Sequence, residues 1–173
     1  AKHVNTAAFV GTDNYAGGEK AGELMAKAVG DKGDVGIIDY PTVQSVVDRV
    51  NGFRHALEAH PQIRIVSDQA GITRSEALAV AQNMLQAQPG LVGIFGFGDD
   101  AALAAVCAVH SAKREQNVQV VGFDGMHEAR NAVDRDPAFF GATRHDPDRM
   151  CHAAIDSPQA LIDGKTVHVW HIL

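Results

Sequence analysis

Cysteine is scarce in this 173-residue chain, with Cys107 and Cys151 the only two. Two cysteines so far apart define no disulfide framework and leave the redox compartment open. Long hydrophobic runs are absent as well, and the longest apolar stretches are far too short to span a bilayer. There is no basic excess: 15 Lys and Arg against 21 Asp and Glu leave a net charge of −6. That balance argues against nucleic acid or an anionic membrane surface as the main partner. No initiating Met and no signal peptide stand at Ala1, which leads us to expect a processed product, a trimmed chain or a fragment. What is present is ordinary for a soluble globular protein, 46% apolar and 21% charged residues. The length suits one core, or one domain plus part of another.

The signatures of catalysis and cofactor binding are also missing. No Gly-x-Ser-x-Gly elbow occurs. Gly17-Gly18 has neither the Lys-Ser/Thr ending of a phosphate loop nor the glycine spacing of a dinucleotide fingerprint. Gly93-Ile-Phe-Gly96-Phe-Gly98 is glycine-rich, but its first residues belong to a strand. His145, Cys151, His152, His168 and His171 lack the tight paired spacing of a zinc site. Cys107 reads as a small buried thiol inside the Ala-rich helix Ala101–Ala112. No cofactor is expected, and nothing demands an enzyme.

Short apolar runs alternate with amphipathic stretches. Expected strands are Ala7–Gly11, Asp34–Ile38, Arg64–Gln69, Leu91–Gly96, Gln119–Phe123 and Phe140–Arg144. Between them lie helix-period segments Tyr15–Val29, Gln44–Ala59, Arg74–Gln88, Asp100–Ala112 and His127–Asp134. Val46, Val47, Val50, Phe53 and Leu57 share one helical face, as do Ala77, Leu78, Ala81 and Leu85. Thr73, Asp99 and Asp146 stand where N-caps belong. Pro158 should kink the last helical stretch, Asp146–Asp163, or end its first half. A final strand, Val167–Ile172, reaches the end of the chain, which suggests truncation. Strands alternating with helices imply parallel strands and right-handed crossovers, hence an α/β doubly wound parallel sheet.

In such a sheet the carboxyl ends of the strands face one rim, where small molecules bind. Tyr40, Phe97, Gly98, Asp99, Asp124 and His145 all follow strands. Arg49, near the start of a helix, can lean over the same rim. An Arg fork and a carboxylate suit a polyhydroxyl ligand, because one donates in a plane and the other accepts from adjacent hydroxyls. An aromatic such as Tyr40 or Phe97 can stack on an apolar ring face. The structural alternative is that Asp99 only caps a helix and Asp124 only orders a turn. We expect capping for Asp99, and ligand contact for Arg49 and Asp124.

Four segments carry a resemblance: Thr12–Gly22, Val47–Phe53, Gly93–Leu103 and Val120–Gly125. In register and in order, they resemble ribose-type periplasmic sugar-binding proteins, the substrate-binding components of ABC importers with the type I periplasmic-binding-protein fold. The resemblance implies two α/β lobes that close on a sugar about a hinge, and a membrane permease as partner. It implies one complete lobe here plus parts of the other. Residues 1–12 are then a remnant of the first lobe and hinge, 13–145 the complete lobe, and 146–173 a helix and strand returning to the first lobe. It also implies ligand contacts at Arg49 and Asp124, with Tyr40, Gly98 and His145 lining the cleft. Gly98 and His145 depart from the Asn and Gln that ribose binders carry, so another pentose, a hexose or a sugar alcohol is expected as readily as ribose. The location implied is periplasmic, or exported and membrane-tethered. The alternative is the sugar-effector domain of a lac-repressor-type regulator. With most of one lobe missing, the chain alone should bind sugar weakly or not at all, and self-association through the exposed apolar surface is expected.

Overall fold

Residues rich in Val, Ile and Phe build the sheet, because branched and aromatic side chains pack well on a pleated surface. The computed structural model describes residues 9–167 and, for the backbone alone, 170–172. It divides into two units, one of residues 14–144 and one formed by the segments on either side.

The larger unit contains α1 (Asn14–Val29), β2 (Gly33–Asp39), α2 (Gln44–Leu57), β3 (Ile63–Ala70), α3 (Arg74–Ala87), β4 (Leu91–Gly96), α4 (Asp99–Ser111), β5 (Gln119–Asp124), α5 (His127–Val133) and β6 (Phe139–Arg144); the smaller unit begins with β1 (Val10–Thr12). The five strands β2 to β6 pair in parallel in the order β3-β2-β4-β5-β6. This is the expected doubly wound sheet. The chain winds outward from β2 to β3, then crosses back over β2 to begin β4. The switch in winding lies between β2 and β4, the place where open α/β sheets bind their ligands.

Alternate strand residues bury on opposite faces, as the two-residue period requires. Ile37, Phe95, Val121 and Phe123 join Met25, Val50, Phe53 and Leu57 on the α1–α2 side. Ile38, Ile94 and Val120 join Ala81, Met84, Ala102, Ala105 and Val109 on the α3–α4 side. Phe53 stacks on Phe95 with ring centroids 4.3 Å apart and planes 6° from parallel. Such a pair adds about 1 kcal/mol beyond its buried area.

Glycine governs the seam between α1 and α2. A Cβ at Gly18 would stand 2.0 Å from the carbonyl oxygen of Arg49, and one at Gly52 would stand 2.0 Å from that of Tyr15. Only hydrogen fits at these two positions. The backbone of α2 at Arg49 is thereby pressed directly on α1.

In the smaller unit β1 pairs in parallel with β7 (Trp170–Ile172), and both lie against α6 (Pro147–Ile162). Asp146 caps α6 by accepting from the Arg149 N–H at 3.0 Å. Thr73 caps α3 in a reciprocal box with Glu76.

Of the two outcomes expected at Pro158, the helix does not end there but runs on to Ile162. Two further expectations are corrected. Cys107 is exposed, not buried, because α4 turns its Ala101, Ala105 and Ala108 inward instead. Asp99 is not the cap of α4; Gly98 holds that position and Asp99 is the first helical residue. Parts of the expected strands Ala7–Gly11 and Val167–Ile172 lie outside the described residues, as do His168 and the side chain of His171.

Candidate functional site

Arg49 organises the carboxyl rim of the larger unit. It projects from the second turn of α2 and only 8% of it is exposed. Its Nη1 lies 2.9 Å from Asp124 Oδ1 and donates to the Phe97 carbonyl at 2.8 Å. Its Nε donates to Asn14 Oδ1 at 3.0 Å. The guanidinium carbon rests 3.9 Å above the centre of the Phe123 ring, a cation–π contact. Burial lowers the pKa of Arg49, and the charges of Asp124 and Asp99 work against that shift. The cation is therefore fixed in place by acceptors on α1, β5 and the loop after β4.

Asp124 closes β5 in an unusual backbone conformation. Its φ is +104°, and Gly125 follows at +73°. A non-glycine residue in this region carries strain that its surroundings must hold. The side chain keeps 28% exposure beside the buried Arg49. A partly exposed carboxylate next to a fixed guanidinium can accept from one hydroxyl while the cation orients its neighbour.

Tyr40, Phe97 and Gly98 stand at the switch in winding. The Phe97 N–H donates to the Ile38 carbonyl at 3.1 Å, tying the end of β4 to the end of β2. The Tyr40 and Phe97 rings meet with centroids 5.9 Å apart and planes 59° from parallel. A Cβ at Gly98 would lie 3.0 Å from Asp124 Oδ2. Five of the six expected site residues are thus gathered on one rim: Arg49, Asp124, Tyr40, Phe97 and Gly98. His145 belongs to the smaller unit, where its Nδ1 lies 2.5 Å from Thr12 Oγ1.

Sequence reading missed two contributors. Asn14 accepts from Arg49, and Phe123 underlies the guanidinium. Asn14 lies within the segment Thr12–Gly22, but its partner is far away in sequence. Asp99 belongs here too. Its buried Oδ2 accepts the Met126 N–H at 2.5 Å, across from α4 to the turn after β5. Burial is the main cause that raises the Asp99 carboxyl to about 6; the Met126 and Gly125 N–H groups oppose the rise, and Asp124 adds to it.

The family model described as periplasmic binding protein domain matches residues 1–166. This chain belongs to the periplasmic binding protein family. The ribose import binding protein RbsB of Salmonella typhimurium is 30% identical over 159 residues, covering 91% of this chain and 53% of that protein. The D-allose-binding periplasmic protein of Escherichia coli is 36% identical over 151 residues, covering 80% of this chain and 49% of the relative. A solved ABC transporter periplasmic solute binding protein from Actinobacillus succinogenes, with bound D-allose, superposes with a TM-score of 0.89 at 30% identity. That match covers 96% of this chain and 58% of the other. The chain spans about half the length of the curated relatives it matches. Periplasmic binding proteins are substrate-binding proteins, and the relatives named here are sugar-binding proteins, one of them named for ribose import. Among the described residues, no helix is long and apolar enough to cross a membrane.

Proposed function

We propose that the protein binds a monosaccharide or sugar alcohol and delivers it to the membrane permease of an ABC importer, without chemistry of its own. The observation that carries this reading is the Arg49–Asp124 pair, buried on one side and accessible on the other, at the carboxyl rim of a parallel sheet. Arg49 and Asp124 take the sugar hydroxyls. Tyr40 and Phe97 face the apolar side of the sugar ring, and Gly98 leaves room above Asp124. His145 is a further ligand contact. Residues 13–145 form one lobe, with 1–12 and 146–173 belonging to the hinge and to the other lobe. Ligand contacts on both lobes favour the closed state, and the permease recognises that state. The working location is the periplasm, or the outer face of a membrane to which the protein is tethered.

One relative is a ribose import binding protein and another a periplasmic D-allose-binding protein, which supports the transport reading over a sugar-responsive regulator. Ile155, Leu161 and Ile162 on α6 are exposed apolar residues, and they give this chain alone a surface for self-association. The test is calorimetric titration of the whole protein with D-ribose, D-allose, D-arabinose, D-glucose and myo-inositol. Micromolar or tighter binding of one of these, lost in R49A and in D124A, supports the assignment. Unchanged affinity in both variants sinks the site; no binding across the panel sinks the ligand class.

A further inference from the structure

Two successive residues of the turn after β5, Asp124 and Gly125, have positive φ, at 104° and 73°. Gly125 tolerates this; Asp124 does not without help from outside the turn. Asp99, on the adjacent helix α4, supplies that help. It is 1% exposed, and its Oδ2 lies 2.5 Å from the Met126 nitrogen. The Gly125 N–H also acts on the same carboxylate, favouring its ionised form. Asp99 Oδ1 is buried and has no hydrogen-bond partner among the described residues. A proton can therefore settle on Oδ1 without displacing the Met126 bond from Oδ2.

The charged groups around Asp99 are Arg49 from α2, Asp124 from β5 and Asp100 from its own helix. Two of the three are acidic, and all sit beside a carboxyl cut off from water. An ionised Asp99 grips the Met126 amide with a charge-assisted hydrogen bond, about twice as strong as a neutral one, and attracts the Gly125 amide beside it. A protonated Asp99 holds both weakly.

We propose that Asp99 is a positioning residue for Asp124: its buried carboxylate clamps the Asp124–Gly125–Met126 turn through the backbone amides, and protonation of Asp99 loosens the clamp and weakens the hold of Asp124 on a ligand hydroxyl. The second half of this proposal rests on the reading of Asp124 as a sugar-binding residue; the clamp itself does not. The carboxyl at about 6 places the change within reach of mildly acidic surroundings.

The test compares the whole wild-type protein with D99N. In sugar-free protein, the amide proton shifts of Gly125 and Met126 are followed from pH 7.5 to pH 5 by NMR. Both should titrate with a midpoint near 6 in the wild type and stay flat in D99N. In parallel, D-ribose and D-allose are titrated at pH 7.5 and pH 5. Wild-type affinity should fall by about tenfold at the lower pH, the worth of one weakened charge-assisted bond, while D99N binds weakly at both. Amide shifts that do not move in the wild type overturn the clamp, and that measurement needs no variant to fold. Shifts that move equally in D99N overturn it too. A D99N protein that keeps wild-type affinity with the wild-type pH slope overturns the coupling to Asp124. If neither sugar binds the wild type, the choice of sugar fails, and the amide titration still decides the clamp.

Discussion

Arg49 Nη1 and Asp124 Oδ1 lie 2.9 Å apart, yet the two residues come from opposite constraints. Arg49 is held by burial and by its backbone contact with Gly18. Asp124 is held in a strained turn with part of its carboxylate open. The pair is a fixed donor beside an adjustable acceptor.

Replacing Arg49 by Ala should lower sugar affinity by at least 100-fold. A charge-assisted, partly desolvated contact is worth about 3 kcal/mol when one partner is removed. R49K should recover little, because an ammonium cannot reach Asp124, Phe97 and Asn14 from one plane. Calorimetry gives the affinities, and circular dichroism checks that both variants keep the native fold.

G98A should change sugar selectivity without changing stability. Its Cβ meets only Asp124 Oδ2, at 3.0 Å, and that atom ends a side chain that can rotate away. Urea unfolding should agree with wild type within about 0.5 kcal/mol. The ratio of D-ribose to D-allose affinity should move by several-fold. A changed unfolding midpoint with an unchanged ratio would contradict this account.

G18A should be destabilising by about 3 kcal/mol, since its Cβ collides with the Arg49 carbonyl and neither backbone can yield cheaply. G90A is the control. Its Cβ has only Asp34 Oδ2 nearby, at 3.9 Å. Urea denaturation of both variants should show a large loss for the first and almost none for the second.

Asp99 should make stability fall as pH rises. Its folded value, about 6, lies above the ordinary 3.8, so the folded state takes up the proton first. The stability linked to that proton is fully present below about pH 4 and is lost as pH rises through about 6. The size is on the order of 2 kcal/mol. In D99N this component should vanish. Comparing the unfolding free energies of D99N and wild type between pH 4 and 7 isolates it from the other carboxylates; a constant difference over that range would rule it out.

The strands of the larger unit and most of its helix bounds were legible because hydrophobic period is a local property. Asp124 stood out for the same reason, as an acidic residue at the end of an apolar run. Strand order was not legible, since alternating strands and helices fit several orders, and so the switch in winding between β2 and β4 emerged only in three dimensions. Asp99 misled for a physical reason. An Asp before an Ala-rich segment has the local signature of a cap, but its carboxylate goes to Met126, on a different element. Cys107 misled because nearly every neighbour on α4 is a small apolar residue, which hides the direction of the solvent face. Pro158 lacks the N–H that a helix interior uses, yet α6 accommodates it within a continuous helix.

Because Gly18 presses on the Arg49 backbone, the cation is anchored to the scaffold by the tight packing of two helices. Gly98 is different, because a Cβ there meets only the movable end of the Asp124 side chain. If the proposed function holds, a change of ligand is cheapest at Gly98, with Arg49 kept as the anchor.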